Sequence, residues 1–288
     1  MSNSLVWLIT GTSTGIGRLL TESALKRGDR VIATARGRSI SQIADLKEKG
    51  AATLELDVTA PQEKLDEIAK EAAAIYGQID VIVNNAGYIL VGAVEENTAE
   101  ETLQQFNTNV FGALNVTRAF LPYLRQRKSG YVIFIGSVGG WRGVPNAGLY
   151  AATKYTLRGI TASLDLELSP LGIRATCVDL GYFRTPFLSS DHRAPQISRI
   201  PDYQEMTDKA NASLAAYNGR QPGDPQKGVN VILDVIRGEG VAVGKPFPSS
   251  LQLGSDCYRI VKEEQEKTLT SLELWKDVSI STDFPEGT

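Results

Sequence analysis

Short, almost wholly apolar runs recur along the chain and alternate with longer segments whose apolar residues return every three or four positions. The runs are LVWLIT (5–10), RVIATA (30–35), TLELDV (53–58), IDVIVNNA (79–86), YVIFIGS (131–137) and IRATCVDL (173–180). Strands apolar throughout, rather than alternating, are buried on both faces. Helical spacing marks Ile16 to Lys26 and the stretches near 39–49, 61–76, 98–127 and 148–169. Strands joined by helix-length crossovers form right-handed βαβ units. The pattern therefore predicts an α/β fold, a doubly wound parallel sheet of about seven strands with helices on both faces.

Beyond the sixth run the periodicity loosens. Residues 182–224 hold Pro186, Pro195, Pro201 and Pro222 among scattered polar positions. Ligands of open α/β sheets bind beyond the carboxyl ends of the strands, so an irregular insertion there reads as a substrate lid. VNVILDVI (229–236) predicts a helix, VAVG (241–244) a short last strand and 255–275 a closing helix, before a polar tail over 276–288. No linker or repeat divides the sequence, which predicts one domain over 1–288.

Composition narrows the function classes. The chain has 288 residues, 42% hydrophobic and 22% charged, an ordinary globular balance. A net charge of −3 with no basic block speaks against nucleic acid or anionic membrane as partner. No apolar run approaches the roughly 20 residues that span a bilayer. The opening MSNSLVWLIT lacks a basic leader and runs straight into a glycine turn, so it predicts a first strand and a cytoplasmic protein. Two cysteines, Cys177 and Cys257, make no disulfide framework and suit a reducing compartment. The sequons at Asn115 and Asn211 are read as chance in the absence of a secretory signal. A lone histidine, His192, with two distant cysteines supplies no zinc set, and no carboxylate cluster proposes another metal.

Gly11 to Gly17 reads GTSTGIG and admits two chemistries. Its first five residues fit G-x-S-x-G, the strained turn that presents a nucleophilic serine, here Ser13. That elbow draws an oxyanion-hole donor from a loop after an earlier strand, and only one strand precedes Ser13. The other chemistry is a phosphate cradle. Gly11 supplies a tight turn, Gly15 close backbone approach, and Gly17 room for the helix against the sheet, with free N–H groups facing a pyrophosphate.

TGxxxGIG (10–17), NNAG (84–87), Asn109 in NTNVFG, Ser137 in IGSVGG and Tyr150-Ala-Ala-Thr-Lys154 stand in one order and spacing. Together they resemble the short-chain dehydrogenase/reductase family, over residues 5 to about 185. LGSDCY and LELWKDVSISTDF look like the carboxyl-terminal part of a hydroxysteroid and retinol dehydrogenase branch. The resemblance implies a Rossmann fold and a catalytic set of Asn109, Ser137, Tyr150 and Lys154. Cofactor contacts would fall on Gly11, Thr14, Gly15, Ile16, Gly17, Arg36, Asp57, Val58, Asn85, Tyr150, Lys154, Gly181 and Thr185.

Physical chemistry gives these roles content. Tyr150 and Lys154, four apart, share a helix face, so an ammonium beside the phenol would lower its pKa from about 10 toward the working range. Ser137 would bond the substrate carbonyl oxygen; Asn109 is a poor helix former, and the resemblance implies that it distorts its helix and holds a water relaying protons to the lysine. From Val31 through Ala44 there is no acid to bind ribose hydroxyls, but there are Arg36 and Arg38. Arg36 falls where the 2′-phosphate of NADP is held, which favours NADP (NADPH) over NAD, with Arg38 expected out of reach. Leu180-Gly181 replaces the family's usual Pro-Gly, which would loosen the following loop. The stretch 140–145 (GWRGVP), with Tyr182, Phe183 and Phe187, predicts an aromatic, apolar pocket for a lipophilic ketone or aldehyde and its alcohol. Pairing through helices near 98–127 and 148–169 would give a homodimer or homotetramer. A cofactor-binding protein reused for sensing or non-redox catalysis, and a hydrolase built on Ser13, are the competing readings.

Overall fold

The computed structural model describes residues 4–189 and 198–284. Seven parallel strands lie in the order β3-β2-β1-β4-β5-β6-β7, formed by Val6–Ile9, Arg30–Ala35, Ala52–Glu55, Val81–Asn84, Gly130–Ile135, Ile173–Leu180 and Ser250–Leu253 for β1 to β7. Within β1, Val6 and Leu8 enter one core, while Trp7 and Ile9 enter the other. This two-sided burial is what a run of consecutive apolar residues encodes.

The helices divide between those two cores. Gly15–Lys26 (α1), Ala44–Glu48 (α2) and Pro225–Arg237 (α8) cover one face through Leu20, Leu46, Ile232 and Leu233. Gln62–Tyr76 (α3), Ala113–Arg127 (α5) and Gly148–Leu168 (α6) cover the other through Leu65, Phe120 and Leu157. Ala99–Phe106 (α4) runs into α5 through one π-helical segment, Asn107–Gly112, so the continuous helix expected over 98–127 is interrupted at the very place where Asn109 stands.

Three further expectations are corrected. VAVG does not form the last strand, because Gly240 and Gly244 take φ of +53° and +74° and Gly240–Ala242 winds into a 3₁₀ turn. The seventh strand is Ser250–Leu253, whose half-exposed edge position leaves no apolar run to read. The irregular stretch over 182–224 contains a helix, Gln204–Tyr217 (α7), in which Ala210, Ala212, Ala215 and Ala216 favour the helical state although Thr207 alone is buried. The polar tail begins with a short exposed helix, Lys276–Ile280 (α10), after the closing helix Ser255–Leu274 (α9). His192 and Pro195 of the expected lid, and residues 285–288 of the tail, lie outside the described residues.

At Gly17 a Cβ would fall inside contact distance of both Asn85 Nδ2 and the Gly11 carbonyl oxygen. Gly17→Ala is therefore expected to lower stability by about 1–3 kcal/mol. The shift would be read as a fall in the urea midpoint at unchanged m-value.

Candidate active site

Between β1 and β4 the winding of the sheet reverses, and the backbone beyond the two strands diverges. Thr10 bridges the gap. Its Oγ1 donates to the Val83 carbonyl at 3.2 Å and accepts from the Asn85 and Ala86 N–H groups at 3.0 Å each. Asn85 Nδ2 donates in return to the carbonyls of Thr10 and Gly11 at 2.8 and 2.9 Å. Gly11 holds φ +68° with Ala86 Cα 2.9 Å from where a Cβ would stand, so only glycine fits.

α1 starts without a side-chain cap from Thr14 and without an acid in its first turn. Its leading N–H groups face a cavity of about 1440 Å³ that Gly11, Ser13, Thr14, Gly15 and Ile16 help to line. Among the described residues, no base hydrogen-bonds the Ser13 hydroxyl to activate it as a nucleophile; His192, the histidine a triad would draw on, lies outside them.

The cavity runs along the carboxyl ends of the strands. Arg36, Arg38, Ser39 and Gln42 border one end, with Asp57 and Val58 beside them in the turn after β3. Neither arginine has an ion pair among the described residues. Arg38, expected out of reach, lines the cavity as well, because a 3₁₀ turn over Gly37–Ile43 brings the chain back over the strand ends. Thr185 packs against the glycine turn, its Cβ 3.7 Å from where Gly15 would carry one. An uncapped helix start, two unpaired arginines and Gly11 pressed against Ala86 fit a dinucleotide phosphate cradle.

Ser137, Tyr150 and Lys154 meet on the wall of the same cavity. Ser137 follows β5 and accepts the Gly139 N–H at 3.1 Å. Lys154 donates from Nζ to the Ile135 carbonyl at 2.7 Å and lies 5.7 Å from the Tyr150 ring centroid. Burial pushes the Tyr150 phenol up to about 12, a rise that a Ser137 hydrogen bond opposes. Burial also pulls the Lys154 ammonium down to about 8, while Cys177 and Asp179 work the other way. The Tyr150 to Lys154 spacing predicts a lowered phenol; here burial outweighs the Ser137 hydrogen bond and the phenol stands above its ordinary value. The phenol keeps its proton at neutral pH and can act as a donor.

Two expected residues stand back from the cavity. Asn109 is 2% exposed and is not on the wall. Its amide donates to the Tyr88 carbonyl at 3.0 Å and accepts the Tyr88 N–H at 3.1 Å, so it ties the segment after β4 to the π turn. Gly17 is also behind the wall, against Asn85 and Gly11. Leu180 does not loosen the chain. Its strand pairs with β7, Gly181 N–H donates to the Leu253 carbonyl at 2.8 Å, and Tyr182 N–H to Asp256 at 2.7 Å.

The other half of the cavity is walled by Tyr88, Ile89, Val144, Phe187, Leu214 and Tyr217. Tyr182 and Tyr217 meet edge to face at 5.1 Å, and Phe187 tilts against Tyr150 at 6.0 Å. Trp141, expected in this pocket, turns away. Its indole stacks 3.2 Å from the Arg158 guanidinium and donates to Asp179 at 2.8 Å. Asp179 is fully buried and burial raises its carboxyl, with Trp141, Cys177, Arg158 and Ser250 pulling the other way. Sequence reading missed it because an acid inside an apolar strand run carries no periodic signal.

Comparison with known proteins agrees with this geometry. The sequence matches the short chain dehydrogenase family over residues 5–196. Oxidoreductase BOA17 of Botryotinia fuckeliana is 33% identical over 281 residues, 96% of this chain and 98% of that one. A short-chain dehydrogenase from Streptomyces avermitilis superposes with a TM-score of 0.87 at 35% identity, covering 98% of this chain and all of that one, 100%. The closed form of serine dehydrogenase complexed with NADP+ gives a TM-score of 0.70 at 25% identity, over 86% of this chain and 94% of the neighbour. With the glycine turn, the seven-stranded sheet and the Ser137, Tyr150 and Lys154 cluster in one cavity, this chain belongs to the short-chain dehydrogenase family of oxidoreductases.

Proposed function

We propose that the protein is an NADP(H)-dependent oxidoreductase that interconverts a ketone or aldehyde and its alcohol, on a lipophilic small molecule. The observation that carries this reading is the continuity of one cavity, from the uncapped start of α1 and the unpaired Arg36 and Arg38 to the buried Tyr150, Ser137 and Lys154. When bound, the nicotinamide supplies or accepts the hydride. Gly11, Thr14, Gly15, Ile16 and the α1 N–H groups receive the pyrophosphate, while Arg36 and Arg38 receive the 2′-phosphate. Asp57 and Val58 border the adenine, Asn85 and Gly17 hold the turn in shape, and Gly181 and Thr185 position the carboxamide.

In reduction Tyr150 gives its phenolic proton to the carbonyl oxygen as charge builds there, and Ser137 steadies the same oxygen. Lys154 binds ribose and offers positive charge below the phenol. Asn109, whose Nδ2 lies 3.3 Å from Thr153 Oγ1 on the lysine's helix, serves the proton relay to Lys154 from behind the cavity wall. The segment 182–224, with α7 over the aromatic wall, serves as the substrate lid within one domain over 1–288. Two free, buried cysteines favour a reducing compartment such as the cytoplasm. Exposed Leu103, Phe111, Tyr155 and Leu166 on α4 to α6 favour pairing of copies through those helices.

Following NADPH absorbance over a ketone and aldehyde panel tests the reading directly. Tyr150→Phe is expected to cut turnover by about 10²–10⁴ while leaving NADPH binding intact. A sensor would lose nothing by the change, and wild-type protein inert across the panel would end the proposal. Arg36→Ala is expected to weaken NADPH about tenfold or more and leave NADH nearly untouched, measured as the ratio of the two kcat/KM values. The lowered Lys154 predicts a pH limb. Its charge is present below about 8 and lost above, while Tyr150, near 12, keeps its proton throughout. Reductive kcat/KM for NADPH should therefore fall as pH rises past about 8, and the limb should vanish from the residual activity of Lys154→Arg.

A further inference from the structure

Charge is spread unevenly over the cavity wall. Asp57 is its one carboxylate among the described residues, and it sits at the dinucleotide end. In the aromatic half the charged side chains are the buried Lys154, already bonded to Ile135, and Arg142. Half-buried arginines elsewhere in the molecule meet acids: Arg27 with Asp234, Arg174 with Asp165, Arg199 with Glu101. Arg142 has no hydrogen bond and no ion pair among the described residues. Lys267 of α9, itself paired with Glu264 at 2.9 Å, feels Arg142 as a like charge.

A guanidinium does not shed its proton to escape such a place. Held on an apolar wall without a counter-ion it carries an unmet demand for an oxyanion, and its planar fork matches a carboxylate with two parallel hydrogen bonds. The neighbouring Trp141 fixes this loop by stacking under Arg158 and bonding Asp179, which leaves Arg142 on the cavity side of the turn.

We propose that Arg142 anchors an anionic group at the far end of the substrate. The substrate class is then a carbonyl compound with an apolar body and a terminal carboxylate or phosphate, its carbonyl at Tyr150 and its body along Val144, Phe187 and Leu214. This rests on the carbonyl-reduction reading and narrows it.

The test compares 9-oxodecanoate, its methyl ester and 9-oxodecyl phosphate with wild type, Arg142→Gln and Arg142→Lys. Wild type should prefer an anionic probe to the ester by about tenfold or more in kcat/KM. Arg142→Gln should collapse that ratio through KM, and Arg142→Lys should restore part of it. The two anionic arms tell carboxylate from phosphate. Equal use of ester and both anions by wild type, or an unchanged ratio in Arg142→Gln, would overturn the proposal. Calorimetric binding of decanoate and decyl phosphate to the NADP+-saturated protein needs no turnover. A loss of about tenfold for either anion in Arg142→Gln supports the anchor even if no ketone reacts, and equal affinities reject it even if ketones do.

Discussion

The site depends on how the molecule closes the gap where its sheet changes winding direction. β1 and β4 are adjacent, yet α1 leaves for one face and the helices after β4 for the other, so the main chain beyond both strand ends would have unsatisfied polar groups. Thr10 and Asn85 satisfy them reciprocally, and in doing so fix Gly11 at positive φ and point the start of α1 into the cavity. The phosphate cradle is thus a consequence of sheet topology. Ligands collect at such a reversal because the strands themselves leave it open.

Water exclusion then sets the chemistry. Tyr150 and Lys154 stand on one face of α6, but both are removed from solvent, and each is driven toward its neutral form. A phenol that holds its proton is suited to giving it to an oxygen that gains charge. The lysine, bonded to Ile135 and influenced by buried Asp179, is kept close to its own titration point near neutral pH. Asp179 links β7, the loop of Trp141 and Arg158 of α6 behind the site, so the electrostatics of the wall and the rigidity of its frame share the same buried carboxylate.

Arginines that bind the fold together and arginines on the cavity wall differ in their partners. Those that hold the fold together meet carboxylates, as Arg237 meets buried Asp29 and Arg174 meets Asp165 in a fork. Those on the cavity, Arg36, Arg38 and Arg142, meet none among the described residues. Arg36 and Arg38 are exposed at one end of the cavity and Arg142 is half-buried elsewhere on its wall, so each is open to an anionic ligand.

Periodicity alone located β1 to β6. In the five inner strands two-sided burial writes itself as apolar runs, while β3, at one edge, is partly buried and its run alternates. The glycine turn and the Tyr150 to Lys154 spacing were also legible, since both obey local backbone geometry. Other features were decided only by tertiary structure. The edge strand Ser250–Leu253 is half exposed and has no apolar signature, while the more apolar VAVG is bent out of extension by its flanking glycines. Trp141 faces the interior because Arg158 and Asp179, distant in sequence, receive it there. Arg38 reaches the cavity because a 3₁₀ turn returns the chain, and Asn109 withdraws because Tyr88 consumes its amide. The direction of the Tyr150 shift belongs to the same group: spacing fixes which groups are neighbours, but only the packed fold determines how much water they lose.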